Sequence, residues 1–319
     1  MKRTTLLCFA AIALLAACRK NVQENAPVLI DEKQSAPEMM ASAALNSWMT
    51  DLPDNVSLAQ LSIPGTHDAG ARFEPISGTA KCQNLTIAQQ LDAGIRFLDV
   101  RCRHIDNAFT IHHGAIYQNL NFQDVLNACT AFLNAHPGET IVMCVKEEHN
   151  PENVSRTFEQ TFDSYVQQNP GRWRLAASVP TLGDARGKIV LLRRFGASST
   201  PKGIAATSWA DNTTFSINTP DANLRVQDQY VVPDNNAKWN RITDLFTEAN
   251  GSSSNTLYIN FTSGYRSLIF GIPSITTVSN NINPRITTYF TSNTSGHYGI
   301  IPMDFADAGK AQLIVDTNF

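Results

Sequence analysis

From about residue 45 onward, short apolar runs alternate with longer stretches of mixed character. The runs Leu58–Ile63, Ile95–Val100, Phe109–Ile111, Ile141–Val145, Ile189–Leu192, Leu224–Val226, Leu257–Phe261 and Gly299–Met303 predict buried strands. Between them, Thr86–Ala93 and Phe122–Ala135 place apolar residues at a spacing near 3.6 and predict helices, and Asn153–Gln168 does so more weakly. Strands separated by helices predict a parallel sheet. Eight such runs in residues 45–319 point to an α/β fold with a single distorted parallel (β/α) TIM-type barrel. An open doubly wound sheet is the rival. The segments 196–256 and 264–298 are rich in Ser, Thr, Asn and Gly, so long loops or irregular turns are expected there.

The N-terminus follows another pattern. Lys2 and Arg3 precede the apolar stretch Leu6–Leu15, which is too short to span a bilayer and reads as an export signal. It ends in Leu15-Ala16-Ala17-Cys18, which resembles a bacterial lipobox. The expected division is a lipoprotein signal peptide at 1–17, a polar lipid-anchored tether at 18–44 with Cys18 as the anchor, and one domain at 45–319. Arg19, where Asp would favour inner-membrane retention, points by analogy to the outer membrane, on its periplasmic or cell-surface side. A secreted product is the alternative. The formal net charge is −3, and loss of residues 1–17 removes Lys2 and Arg3 but no acid. Such a chain lacks the basic excess of a nucleic-acid binder. Of the remaining cysteines, Cys82 and Cys102 carry no pairing signal, while Cys129 and Cys144 are expected to be small buried hydrophobes.

Chemistry gathers where the strands end. The runs finish in His67-Asp68, Asp99-Val100-Arg101, His112-His113-Gly114, Lys146-Glu147-Glu148, Arg193-Arg194, Asp228-Gln229-Tyr230 and Asp304. In a parallel barrel these ends share one face. Two imidazoles supply a base and an acid at neutral pH, and arginine supplies a planar cation for phosphate oxygens. No trio of hard carboxylate ligands suggests calcium or magnesium, so metal-free phosphodiester cleavage without a cofactor is favoured.

These residues resemble the bacterial phosphatidylinositol-specific phospholipases C. The likeness rests on Leu61-Ser-Ile-Pro-Gly-Thr-His-Asp68, Gly94-Ile-Arg-Phe-Leu-Asp-Val-Arg101, His112-His-Gly114, Leu182-Gly-Asp-Ala-Arg-Gly-Lys-Ile-Val-Leu-Leu192, Val226-Gln-Asp-Gln-Tyr230 and Leu257-Tyr-Ile-Asn-Phe-Thr262. The resemblance implies a distorted barrel that cleaves phosphatidylinositol by attack of the inositol 2-hydroxyl, giving diacylglycerol and inositol 1,2-cyclic phosphate. It extends to glycosylated inositol anchors, which carry the same bond. It implies His67 as general base with Asp304 as its partner, His113 as general acid assisted by Asp68, and Arg101 on a non-bridging phosphate oxygen. Lys146, Glu148, Arg194, Asp228 and Tyr230 are implied as inositol contacts. Asp211 joins them from Ser208-Trp209-Ala210-Asp211, which departs from the family's aromatic-Trp-Pro-Asp element. The implied partner is a phosphatidylinositol-containing membrane, met by a monomer. The competing readings are a metal-dependent glycerophosphodiester phosphodiesterase and a non-catalytic lipid- or glycan-binding lipoprotein.

Several residues have plainer readings. Alternation along a strand lets only one of His112 and His113 face the site, and His113 beside Gly114 is chosen. His104, His136, His149 and His297 are expected at the surface. Asp99 is expected to support Arg101 or line the site, and Arg103 and Arg193 to be solvated or ion-paired. Gly65, Gly70 and Gly114 are expected in tight turns. The stretch Tyr265–Ile272 lacks the family's tryptophan and is either a buried cover for the barrel or an exposed apolar rim.

Overall fold

Period-two alternation builds the barrel in the computed structural model, which describes residues 45–319. The expected signal peptide, Cys18 and the expected tether lie outside the described residues. In chain order the strands are β1 (Ser62–Thr66), β2 (Phe97–Ile105), β3 (Ala108–His113), β4 (Ile116–Asn121), β5 (Ile141–Glu147), β6 (Trp173–Arg174), β7 (Ile189–Arg194), β8 (Ile204–Ala205), β9 (Thr214–Asn218), β10 (Asn223–Gln227), β11 (Thr256–Asn260), β12 (Arg266–Ser267), β13 (Pro273–Ser274) and β14 (Gly299–Met303). The main sheet runs β6-β7-β5-β2-β1-β14-β11-β10-β9. Neighbours from β7 to β10 along that path pair in parallel, and β9 closes the row antiparallel to β10. Among the described residues no ladder joins β9 or β10 to β6, β7 or β8, so the barrel is curled but not hydrogen-bonded shut.

Alternate side chains enter the barrel and leave it. Ile63, Phe97, Val142, Cys144, Val190, Leu192, Leu224, Val226, Leu257, Ile259 and Ile300 fill one buried cluster inside. Their strand neighbours Leu98, Val100, Ile141, Met143, Val145, Ile189, Leu191, Ile301 and Met303 pack outward with helical residues such as Phe122, Cys129, Phe246 and Ile282. The helices are α1 (Ile87–Asp92), α2 (Phe122–Ala135), α3 (Phe158–Gln168), α4 (Leu182–Ala185), α5 (Asn235–Asn250), α6 (Thr276–Ser292) and α7 (Ala308–Asp316). Thr86 and Thr157 close capping boxes that start α1 and α3.

Several expectations need correction. Phe109–Ile111 is not a barrel stave. It lies in β3, which pairs antiparallel with the overlong β2 and then with β4. Asp106 and Asn107, both at positive φ, form the two-residue turn that folds β2 back on itself. The segments expected as loops hold α5 and α6. Their buried stripes, Ile242, Leu245, Phe246 and Ala249 in one and Val278, Ile282, Ile286 and Phe290 in the other, are helical in spacing but diluted by Thr and Asn on the wet face. His104 is buried rather than at the surface, packed on Phe109 and Phe158 and hydrogen-bonded to Thr161 Oγ1 at 2.9 Å. Arg193 is also buried, donating to the carbonyls of Lys202 and Phe195, while Arg103 does pair with Glu152.

Of the three glycines, Gly114 takes the positive φ expected of a turn. Gly65 and Gly70 instead answer close approaches: a Cβ on Gly65 would stand 2.9 Å from Phe97, and one on Gly70 2.5 Å from Ile111. Cys82, Cys102, Cys129 and Cys144 are all free and buried.

Candidate active site

The inward series of each strand ends in a polar group at the same rim. Phe97 and Asp99 lead to Arg101, Val142 and Cys144 to Lys146, and Val190 and Leu192 to Arg194; register sets Arg101 opposite Lys146 and Lys146 opposite Arg194. By the same parity Ile63 leads to His67, Val226 to Asp228 and Ile300 to Asp304. The rim opens on a cleft of about 550 Å3. His67, Arg101, His113, Lys146, Glu148, Arg194, Asp211, Asp228 and Tyr230 line it, and Asp68 and Asp304 lie buried behind the histidines.

His67 is held in one tautomer. Its Nδ1 lies 2.8 Å from Asp304 Oδ1, and its Nε2 lies 2.8 Å from Arg101 Nη2. A guanidinium only donates, so neutral His67 carries its proton on Nδ1 and accepts from Arg101 at Nε2. Burial and Arg101 lower the proton affinity of the ring, but Asp304 opposes them and the pKa ends above the usual imidazole value. Asp304, at the end of β14, also accepts from Gly264 N at 3.3 Å.

Arg101 donates Nε and Nη2 to Asp99 Oδ2 at 3.2 and 3.0 Å, with Asp68 Oδ2 3.8 Å away. Asp99 also accepts from the Asp68 backbone N–H, so it anchors both the arginine and the turn after β1. Burial opposes ionisation of Asp99, but Arg101 outweighs it and holds the carboxyl far below the carboxylate range. Asp68 stands at φ 39° with neither side-chain oxygen hydrogen-bonded, and burial raises its pKa. His113 comes from the β3 hairpin rather than from a stave. Its Nδ1 donates to Ala80 O at 2.6 Å and lies 3.7 Å from Asp68 Oδ2. His112 faces away and is 3% exposed.

The far wall is a polar cradle. Lys146 Nζ pairs with Glu148 Oε2 at 2.6 Å, and Glu148 Oε1 accepts from Gly114 N. Burial raises the Glu148 pKa, but Arg101 and Lys146 prevail and bring it to about 2. The Arg194 guanidinium lies 3.8 Å from the centre of the Trp209 ring, and Trp209 Nε1 donates to Asp228 at 2.9 Å. Tyr230 donates its hydroxyl to Asp211 at 2.6 Å; that bond, then burial, raises the phenol to about 12.

Three residues escaped the sequence reading. Buried Gln83 donates to the carbonyls of His67 and Met303 and accepts from Ala306 N, tying the ends of β1 and β14 together. Buried Lys238, from α5, donates to Gln227 Oε1, Gln229 O and Phe261 O, and burial lowers its pKa to about 7. Trp209 stood in a quoted motif, but its stacking under Arg194 had no signal apart from residue type. Residues 267–272 are exposed, with Phe270 at 96%, which removes the buried-cover reading there, while Tyr265 packs half-buried beside Ala71, Cys82 and Ile275.

This is a barrel with a histidine–carboxylate pair on one side, an arginine at the centre and a polar cradle opposite, a set suited to phosphodiester chemistry. The comparisons make the class specific. The family described as "Phosphatidylinositol-specific phospholipase C, X domain" matches residues 75–195. A 1-phosphatidylinositol phosphodiesterase of Staphylococcus aureus is 33% identical, with 83% of this chain and 89% of the relative covered. One of Listeria monocytogenes is also 33% identical, over 87% of this chain and 86% of the relative. A solved structure of the Staphylococcus aureus phosphatidylinositol-specific phospholipase C, 30% identical and covering 88% of this chain and 99% of that one, superposes with a TM-score of 0.80. The chain belongs to the bacterial phosphatidylinositol-specific phospholipase C family, and its fold is the family's distorted barrel.

Proposed function

We propose that this protein cleaves phosphatidylinositol to diacylglycerol and inositol 1,2-cyclic phosphate by metal-independent acid–base catalysis. The observation that carries the reading is the fixed His67 tautomer, with Asp304 on Nδ1 and the Nε2 lone pair beside Arg101. With Arg101 turned from His67 Nε2 to the phosphate, Nε2 takes the proton of the inositol 2-hydroxyl as that oxygen bonds to phosphorus. The bond from phosphorus to the glycerol oxygen breaks, and protonated His113 gives the leaving oxygen its proton. Asp68 Oδ2 lies 3.7 Å from His113 Nδ1, on the leaving-group side. Arg101 neutralises charge gathering on a non-bridging oxygen. Lys146, Glu148, Arg194, Asp211, Asp228 and Tyr230 hold the inositol hydroxyls. Glycosylated inositol anchors present the same bond and fall within this reading.

The substrate is met at a membrane. Leu268, Ile269, Phe270 and Ile272 are all exposed beside the cleft, as are Phe73 and Ile76 on the neighbouring loop, which Gly78 O joins to Ile275 N at 2.9 Å. Such a rim gains about 1.5–3 kcal/mol for each large apolar side chain it buries. One chain supplies the whole site, so the protein works as a monomer. The signal at 1–17 exports it, and a lipid on Cys18 holds it to the outer membrane. Incubation with phosphatidylinositol in EDTA tests the reaction. Phosphorus NMR should show the cyclic phosphate accumulating at an undiminished rate; a strict metal requirement, or inositol 1-phosphate as the first product, contradicts it.

A further inference from the structure

Cys82 occupies a place in the site that the acid–base chemistry leaves unused. It is fully buried, yet its Sγ lies 3.8 Å from His113 Nδ1. Asp68 Oδ2 lies 3.7 Å from the same nitrogen. The three ligand atoms all fall within 4.8 Å of one another. Tetrahedral zinc bonded to one sulfur, one nitrogen and one carboxylate oxygen sets its ligands about 3.3–3.6 Å apart. The triangle therefore needs only a few tenths of an ångström of contraction on its two measured edges.

A second observation points to a ligand. Both Asp68 side-chain oxygens are buried without a hydrogen-bond partner. Buried carboxylate oxygens are normally satisfied, and an orphaned pair beside a thiol and an imidazole is a binding position for a cation. The surroundings agree: Asp304, Asp68 and Asp99 all act on the Cys82 thiol, against Arg101 as the cation. Burial, followed by Asp304 and Asp68, pushes the Cys82 thiol well above its usual pKa, so it keeps its proton until a metal replaces it. The neighbouring set of His67, Cys82 and Asp304 is less suited, because His67 Nδ1 and Asp304 Oδ1 already share a hydrogen bond at 2.8 Å.

We propose that Asp68, Cys82 and His113 form a site for a thiophilic divalent cation, and that zinc bound there inhibits the enzyme by capturing its general acid. The Cys82 S–H proton leaves to solvent as the sulfur–metal bond forms. His113 Nδ1 gives up its proton to solvent and turns from Ala80 O to the metal, which leaves Nε2–H a weaker acid than the imidazolium, pins the ring, and adds positive charge next to Arg101. Of the three ligands His113 lines the cleft, while Asp68 and Cys82 are buried behind it. The donor set is soft, so calcium and magnesium do not compete. The inhibitory consequence rests on the acid role proposed above for His113; the binding itself does not.

The test titrates Zn2+ into EDTA-stripped, desalted protein and follows both turnover and binding. One equivalent should abolish phosphatidylinositol cleavage, excess EDTA should restore it, and millimolar Mg2+ or Ca2+ should leave it intact. Cys82→Ala and Cys82→Ser should keep the metal-free rate while raising the inhibitory midpoint at least about tenfold. Co2+ should give a thiolate-to-cobalt charge-transfer band in the unsubstituted protein and none in either variant. Absence of that band, or equal zinc sensitivity of all three proteins, overturns the site. A cobalt band without zinc inhibition overturns the inhibitory role alone. Failure of the metal-free protein to cleave phosphatidylinositol overturns the functional reading instead, and the cobalt spectrum still reads the site.

Discussion

Asp304 shows how much one buried carboxylate decides. It fixes the tautomer of His67 and raises the proton affinity of that ring against burial and Arg101. Asp304→Asn removes the charge and leaves an amide of the same shape. Turnover should fall by about 10²–10⁴-fold. The pKa of the base should fall as well, so the acidic limb of the kcat/KM profile moves to lower pH. A variant that slows without moving that limb would show that Asp304 does not act through His67. At this scale much of the site was legible before the fold was known. Arg101, Lys146, Arg194, Asp228 and Asp304 each stand at or just past the end of an apolar run, and the ends of parallel strands share one face. Gln83 and Lys238 were not legible. Each is a polar residue whose worth lies in carbonyl oxygens brought to it by other elements, and nothing local marks such a residue as buried.

Among the elements, the staves were readable because they are buried on both faces and so appear as continuous apolar runs. The helices α5 and α6 were not, because only every third or fourth residue is apolar and the rest resemble loop composition. The β3 misreading has a different cause. Its apolar residues are real, but the Asp106–Asn107 turn reverses the chain, so His113 reaches the cleft from a hairpin standing above the barrel. The loop 265–272 could not be decided from sequence, since an apolar segment reads alike whether it covers a core or faces a bilayer. Exposure of Ile269 at 78% and Phe270 at 96% removes the core-cover reading. The double change Leu268→Ser/Phe270→Ser should weaken binding to phosphatidylinositol vesicles and slow their cleavage, while a soluble inositol phosphodiester turns over at the original rate. Equal loss on both substrates would mean that the rim supports the cleft rather than the membrane contact.

For the molecule as a whole, the barrel orients one polar face and one apolar rim toward the same side, and the lipid anchor read from residues 1–18 would keep that face near lipid. Cys18→Ala should block lipidation and leave an exported, unanchored protein whose purified form retains its activity on soluble substrate. Normal membrane retention of that variant would remove the anchor from the account. The division of labour between the histidines is the account's central claim, and changing the leaving group tests it most directly. A soluble inositol phosphodiester with a nitrophenol leaving group departs without needing a proton, whereas the glycerol oxygen of phosphatidylinositol does need one. His113→Ala should therefore lose about 10²–10⁴-fold on phosphatidylinositol yet stay within about tenfold of the unsubstituted enzyme on the aryl ester. His67→Ala should be crippled on both. Equal damage to the two substrates in His113→Ala, or rescue of His67→Ala by the better leaving group, would contradict the assignment of His67 as base and His113 as acid.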